Sequence, residues 1–146
     1  MNSSSTIADR EEEIVSAFAF LESWDEKYEY IIELGKKLPP LDDKHKVEEN
    51  KVKGCQSTVW LVASEKDGRI FYEADSDAVI VKGLISMLVS VLNGEKPAEI
   101  INAKLGFIEE IGMTSHLAQT RSNGLVAMVK QMKNYALAFM AKNQNA

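Results

Sequence analysis

Apolar residues recur every three or four positions in the first third of the chain, alternate with polar ones near its middle, then return to helical spacing. Asp9 and Glu12 have capping-box spacing, and Ile14, Val15, Phe18 and Leu21 follow at helical intervals. This predicts a first helix from about Asp9 to Glu22. Ser23 and Glu26 repeat the box. A second helix is expected from there, burying Tyr28, Ile31, Ile32 and Leu34 and ending in a left-handed turn at Gly35. Pro39 and Pro40 forbid further helix, and LDDKHKVEEN at 41–50 reads as a solvated connection.

Beyond position 55 the period falls to two. Thr58, Trp60 and Val62 share one side, and Val59, Leu61 and Ala63 the other, all among good strand formers except the alanine. KDG at 66–68 marks a turn and RIFYEA at 69–74 a second strand, so the pair reads as an antiparallel hairpin. Part of 45–54 is expected to supply a third strand. Asp75, Ser76 and Asp77 are read as opening a strongly apolar helix that ends at Asn93-Gly94, with Lys82, Ser86 and Ser90 as its one polar stripe. EKPAEII and KLGFIEEIG predict two short helices, with Pro97 in a first turn and Gly112 at an end. The last helix is expected from about Arg121 to Ala141, burying Leu125, Met128, Val129, Met132, Tyr135 or Ala136, and Phe139.

This order predicts an α+β fold: a small three-stranded antiparallel sheet with helices packed on it. It fits one domain over 9–141, with flexible tails at 1–8 and 142–146. Length agrees, since 146 residues suffice for one substantial core. A formal net charge of −5 gives no footprint for a nucleic-acid binder. Lys82 interrupts the longest apolar run, so no membrane span is expected. The N-terminus lacks the basic-then-apolar order of a signal peptide, and a single cysteine cannot form an internal disulfide; both point to a cytoplasmic setting.

That cysteine, Cys55, stands in NKVKGCQSTVWL. A free cysteine is commonly a small buried hydrophobe. Three features point elsewhere. Gly54 permits a sharp backbone path, Lys51 and Lys53 favour a thiolate, and a loop at a strand entrance is a usual place for function. Arg121 would put a cation in the first turn of the last helix, which the helix dipole disfavours by roughly 0.3–1 kcal/mol. It is read either as a surface arginine or as aimed at an anion, Asp77 or a partner's carboxylate. Asp77 itself reads as a first-turn carboxylate on the preceding helix. A cysteine hydrolase would need a base beside the thiol, and neither His45 nor His116 stands in a catalytic signature. One cysteine and two distant histidines give no metal site within one chain.

VKGCQSTVWL resembles the SufE family of sulfur acceptors, to which the CsdE proteins belong: Val52, Gly54, Cys55, Gln56, Ser57, Val59 and Trp60 match its V-x-G-C-Q-S-x-V-W pattern. ADSDAVIVKGLI at 74–85, NGEKPAEII at 93–101, HLAQTRSNGLVAMV at 116–129 and the stretch 18–39 match in the same order. The resemblance implies a fold like the IscU-type scaffolds and a relay of sulfur as a persulfide on Cys55. The donor would be a cysteine desulfurase of SufS or CsdA type, and the acceptor a cluster-assembly complex of SufBCD type. Pyridoxal phosphate would belong to the desulfurase, so this chain needs no cofactor of its own. The resemblance further implies loop-supporting roles for Gly54, Gln56 and Ser57 and a partner-facing role for Asp77 and Arg121. Trp60 is expected in the core beneath the loop. The alternative is a binding module that activates a desulfurase by contact, with Cys55 structural. A homodimer is compatible with the sequence.

Overall fold

The computed structural model describes residues 5–116 and 119–144, the side chains of 114, 116, 119–122 and 144 excepted. In chain order it contains α1 (Ile7–Ala19), α2 (Trp24–Lys36), two single 3-10 turns (Asp43–His45 and Glu48–Asn50), β1 (Val59–Lys66) and β2 (Arg69–Ser76). Then come α3 (Val79–Leu92), α4 (Pro97–Asn102), α5 (Phe107–Glu110), α6 (Met113–His116) and α7 (Gln119–Gln144).

The first capping box lies one turn earlier than the spacing of Asp9 and Glu12 suggests. Thr6 is the N-cap: its hydroxyl accepts the Asp9 amide at 3.1 Å, and the Asp9 carboxylate accepts the Thr6 amide at 3.0 Å. Asp9 thus closes the box and does not open it. Ser23 caps α2 as expected, accepting the Glu26 amide at 3.2 Å. Gly35 does not end α2. It lies inside the helix, where a Cβ would come within 2.9 Å of the Gly83 nitrogen of α3. The glycine is there to let two helices meet.

β1 and β2 pair antiparallel from Val59 with Ser76 to Lys66 with Arg69. Asp67 and Gly68, both at positive φ, form the two-residue turn. The sheet has two strands, not three. The stretch expected as a third contributes one bridge, Lys51 with Trp60, in which the Val52 amide donates to the Val59 carbonyl at 2.8 Å. Its two 3-10 turns take up the backbone groups that a strand would have offered. Asp75 and Ser76 end β2 and do not open α3; the N-cap of α3 is Ala78, with no side-chain bond.

The core lies between the inner face of the hairpin and helices α2, α3 and α7. Val59, Leu61, Ile70, Tyr72 and Ala74 line the sheet side. α3 packs on α2, β2 and α7 and buries most of its circumference, as its nearly continuous apolar sequence requires. α7 contributes Leu125, Met128, Met132 and Ala136, the line expected from its periodicity, with Tyr135 half-buried beside it. Each fully buried aliphatic side chain such as Leu61 or Ile85 adds about 1.5–3 kcal/mol. Two tyrosines tie α7 to the hairpin: Tyr72 donates to the Met132 carbonyl at 2.7 Å and Tyr135 to the Leu61 carbonyl at 3.0 Å. The ends of the fold reach further than the expected 9–141. α1 starts at Ile7, and α7 runs to Gln144, with the Asn143 amide donating to Glu65 at 2.6 Å. Among the described residues no helix is long and apolar enough to cross a membrane.

Candidate functional site

The chain enters the site from the Val52–Val59 hydrogen bond and turns at Gly54, whose φ of +92° favours glycine. This turn lays the next residue against α7. A Cβ on Gly54 would stand 3.3 Å from the Ala127 Cβ, and one on Gly124 would stand 3.5 Å from the Cys55 sulfur. Cys55 is half-buried, packed at the margin of the core, and its thiol donates to the Gly124 carbonyl at 3.5 Å. Among the described residues that carbonyl is its hydrogen-bond partner.

Burial pushes the Cys55 thiol above its ordinary pKa. The expectation that Lys51 and Lys53 favour a thiolate is therefore not met in this conformation. Both lysines point outward on either side of the buried Val52, and Lys51 instead reaches Glu48 at 3.5 Å. In this conformation burial favours the thiol over the thiolate.

The far end of the loop is fixed by Asp77 and Ser76. The Thr58 amide donates to the Asp77 carboxylate at 3.2 Å, the Asp77 amide to the Thr58 carbonyl at 3.3 Å, and the Ser76 hydroxyl to that carbonyl at 2.8 Å. Asp77 is exposed and precedes the N-cap of α3, so it is not a first-turn carboxylate. Gln56 is exposed and Ser57 half-buried, and neither side chain makes a hydrogen bond among the described residues. Support expected from them comes from Thr58, Ser76 and Asp77. Arg121 lies in the first turn of α7, as expected, but its side chain is outside the described residues, as is that of His116. His45 sits in the first 3-10 turn, its carbonyl accepting the Asn50 amide at 2.8 Å, and makes no bond to the thiol.

Trp60 is not beneath the loop. The strand alternation that buries Val59 and Leu61 sends Trp60 to the opposite face, under the Lys46 ammonium at 5.6 Å from the ring centre. On that face Asp75 accepts from Lys46 at 3.2 Å and Lys82 at 3.4 Å. Burial alone would raise the Asp75 carboxyl, but the Ser76 amide and the two lysines outweigh it and hold it below the usual carboxylate range. This cluster fastens the 43–50 segment to the sheet just before the cysteine loop. Gly124 was the residue hardest to foresee. Its one signal was a glycine inside an otherwise good helix, which costs about 1 kcal/mol unless something needs the space. Among the described residues no three His, Cys, Asp or Glu side chains cluster as metal ligands.

The SufE family model, described as an Fe-S metabolism associated domain, matches residues 12–136. An uncharacterized SufE-like protein of Rhizobium meliloti is 38% identical over 130 residues, covering 86% of this chain and 93% of its own. One from Rhizobium etli is 42% identical over 131 residues, covering 86% and 88%, and one from Synechocystis is 42% identical over 113 residues, covering 77% and 71%. The solution structure of a hypothetical protein from Thermus thermophilus shares the fold, with a TM-score of 0.74 at 21% identity over 90% of this chain and 96% of the other. With a family model spanning most of its length and relatives this similar, the chain belongs to the SufE family and to iron–sulfur metabolism.

Proposed function

We propose that Cys55 is a sulfur acceptor that carries a persulfide between a cysteine desulfurase and a cluster-assembly complex of SufBCD type. The donor is a SufS- or CsdA-type enzyme that holds pyridoxal phosphate and presents a persulfide on its own cysteine. Cys55 attacks the terminal sulfur of that persulfide as a thiolate. The donor's sulfur–sulfur bond breaks, its cysteine leaves as a thiolate, and a new sulfur–sulfur bond forms on Cys55. No net oxidation occurs, and a second thiol takes the sulfur by the same exchange.

The observation that supports this reading best is the seat of the thiol. Cys55 is neither a core residue nor an open one; it rests by a single weak hydrogen bond against α7, on a loop turned by Gly54. A protonated, half-covered sulfur resists stray reagents, and release from the seat restores both access and acidity. Intact-mass analysis after incubation with a desulfurase and free cysteine tests the reading. The protein should gain one sulfur, lost on reduction with dithiothreitol, and Cys55→Ser should gain none. A serine variant that gains the same mass sinks the assignment. The second reading, activation by contact with a structural Cys55, draws on the packing of the thiol at the core margin. It requires Cys55→Ser to support full sulfur delivery to the acceptor.

A further inference from the structure

Beside the cysteine loop lies a groove of about 630 Å³ that the sulfur itself does not line. Lys51, Lys53 and Gly54 form one wall, and α7 supplies Val126, Lys130 and Asn134 to the other. Three lysines thus line one space, against a single lining acidic residue, Glu49, in a molecule whose net charge is −5. Among the described residues Lys53 and Lys130 have no ion-pair partner, and Lys51 reaches Glu48 only at 3.5 Å between exposed atoms. Val126, on the α7 wall of the same groove, is 68% exposed.

We propose that this groove docks an acidic, extended segment of the protein that loads Cys55, with carboxylates meeting Lys53 and Lys130 and one apolar side chain covering Val126. The inference rests on the reading of Cys55 as a sulfur acceptor. Charge complementarity selects the occupant. A small positive groove on an acidic molecule attracts a short anionic peptide, whereas the molecule's net negative charge repels a polyanion such as nucleic acid. Position gives the docking a consequence. Gly54 is at once a wall of the groove and the residue that holds Cys55 on α7, so an occupant touches the support of the sulfur without covering the sulfur.

The test pairs binding with loading. A pyridoxal-phosphate cysteine desulfurase is titrated with the wild type, with the double variant Lys53→Glu/Lys130→Glu, and with Lys66→Glu, a charge reversal of the same kind and half the size near the hairpin turn. Binding of the double variant should weaken on the order of tenfold at low salt, and the salt dependence seen with the wild type should largely disappear. Loading of Cys55 by a small polysulfide should stay unchanged, which shows the seat intact. Lys66→Glu should bind like the wild type. Equal weakening per charge by Lys66→Glu, or undiminished binding of the double variant, overturns the groove. So does a double variant that alters self-association while binding the desulfurase normally, because the occupant is then a second copy of this chain. A wild type that takes no sulfur from the desulfurase at all brings down the reading of Cys55 and the occupant with it. That failure is distinct from loading that proceeds with the groove irrelevant.

Discussion

Two glycine contacts hold this molecule together at very different distances. Where α2 crosses α3, a Cβ on Gly83 would stand 2.1 Å from the Ile31 carbonyl oxygen, and Gly35 faces the Gly83 backbone from the other helix. Where the cysteine loop meets α7, the corresponding distances are 3.3 Å at Gly54 and 3.5 Å at Gly124. The first is backbone on backbone with no room to yield. The second is looser, side chain on side chain: tight at Gly54, where the Ala127 methyl would have to give slightly, ordinary at Gly124, and closed by one long hydrogen bond to sulfur. One pair of glycines fixes the core, and the other makes a surface from which a loop can part. Glycine at a helix crossing is therefore an argument about stability, and glycine under the sulfur an argument about function.

Gly83→Ala should have the largest effect. The methyl group overlaps the Ile31 carbonyl, and the gain in helix propensity of about 1 kcal/mol does not offset separating two packed helices. A loss of about 3 kcal/mol is expected, read from the urea midpoint; a near-neutral result would mean that the crossing is looser than its geometry. Gly54→Ala comes next. A β-carbon at a φ of +92° costs about 1–2 kcal/mol, but the loop can relieve that strain by leaving its seat. Stability should fall by about 1 kcal/mol, while alkylation of Cys55 speeds up several-fold. Unchanged labelling would show that the seat does not depend on this turn.

Gly124→Ala should act in the opposite direction. The new methyl meets the Cys55 sulfur at 3.5 Å, an ordinary contact, and alanine improves α7. Stability should rise by about 0.5–1 kcal/mol, and alkylation should slow. A destabilised Gly124→Ala would erase the contrast between the two contacts. The smallest effect is in the pH profile. Burial raises the folded-state pKa of the thiol above its ordinary 9.0. Stability from the seated thiol is then complete below the ordinary thiol value and is lost as pH rises through the raised one. The alkylation midpoint of the wild type should lie above 9.0, and that of Gly54→Ala should fall back toward it.

Patterns within single elements were legible in the sequence. The buried line of α7, the Asp67-Gly68 turn and the cap at Ser23 all depend on residues a few positions apart. What failed depends on partners far along the chain. Gly35 resembles a helix end until Gly83 is placed against it. Asp75 and Ser76 resemble an N-cap until β1 pairs with them at Trp60 and Val59. At the site, the cysteine and the glycine before it were readable as a turn. The effect of the neighbouring lysines was not, because adjacency in sequence says nothing of which way a side chain points around the buried Val52.

The hydrogen bond between Val52 and Val59 pinches off the residues between them, with Cys55 three positions from the pinch. An extended chain covers at most about 3.5 Å per residue, so the Cys55 backbone can move roughly 10 Å from that bond while it holds, with the sulfur one side chain further. That tether defines a working radius. On the proposed relay through Cys55, a donor or acceptor sulfur beyond that radius is out of range, so the tether, more than any side chain of the loop, would set which proteins can exchange sulfur with this one.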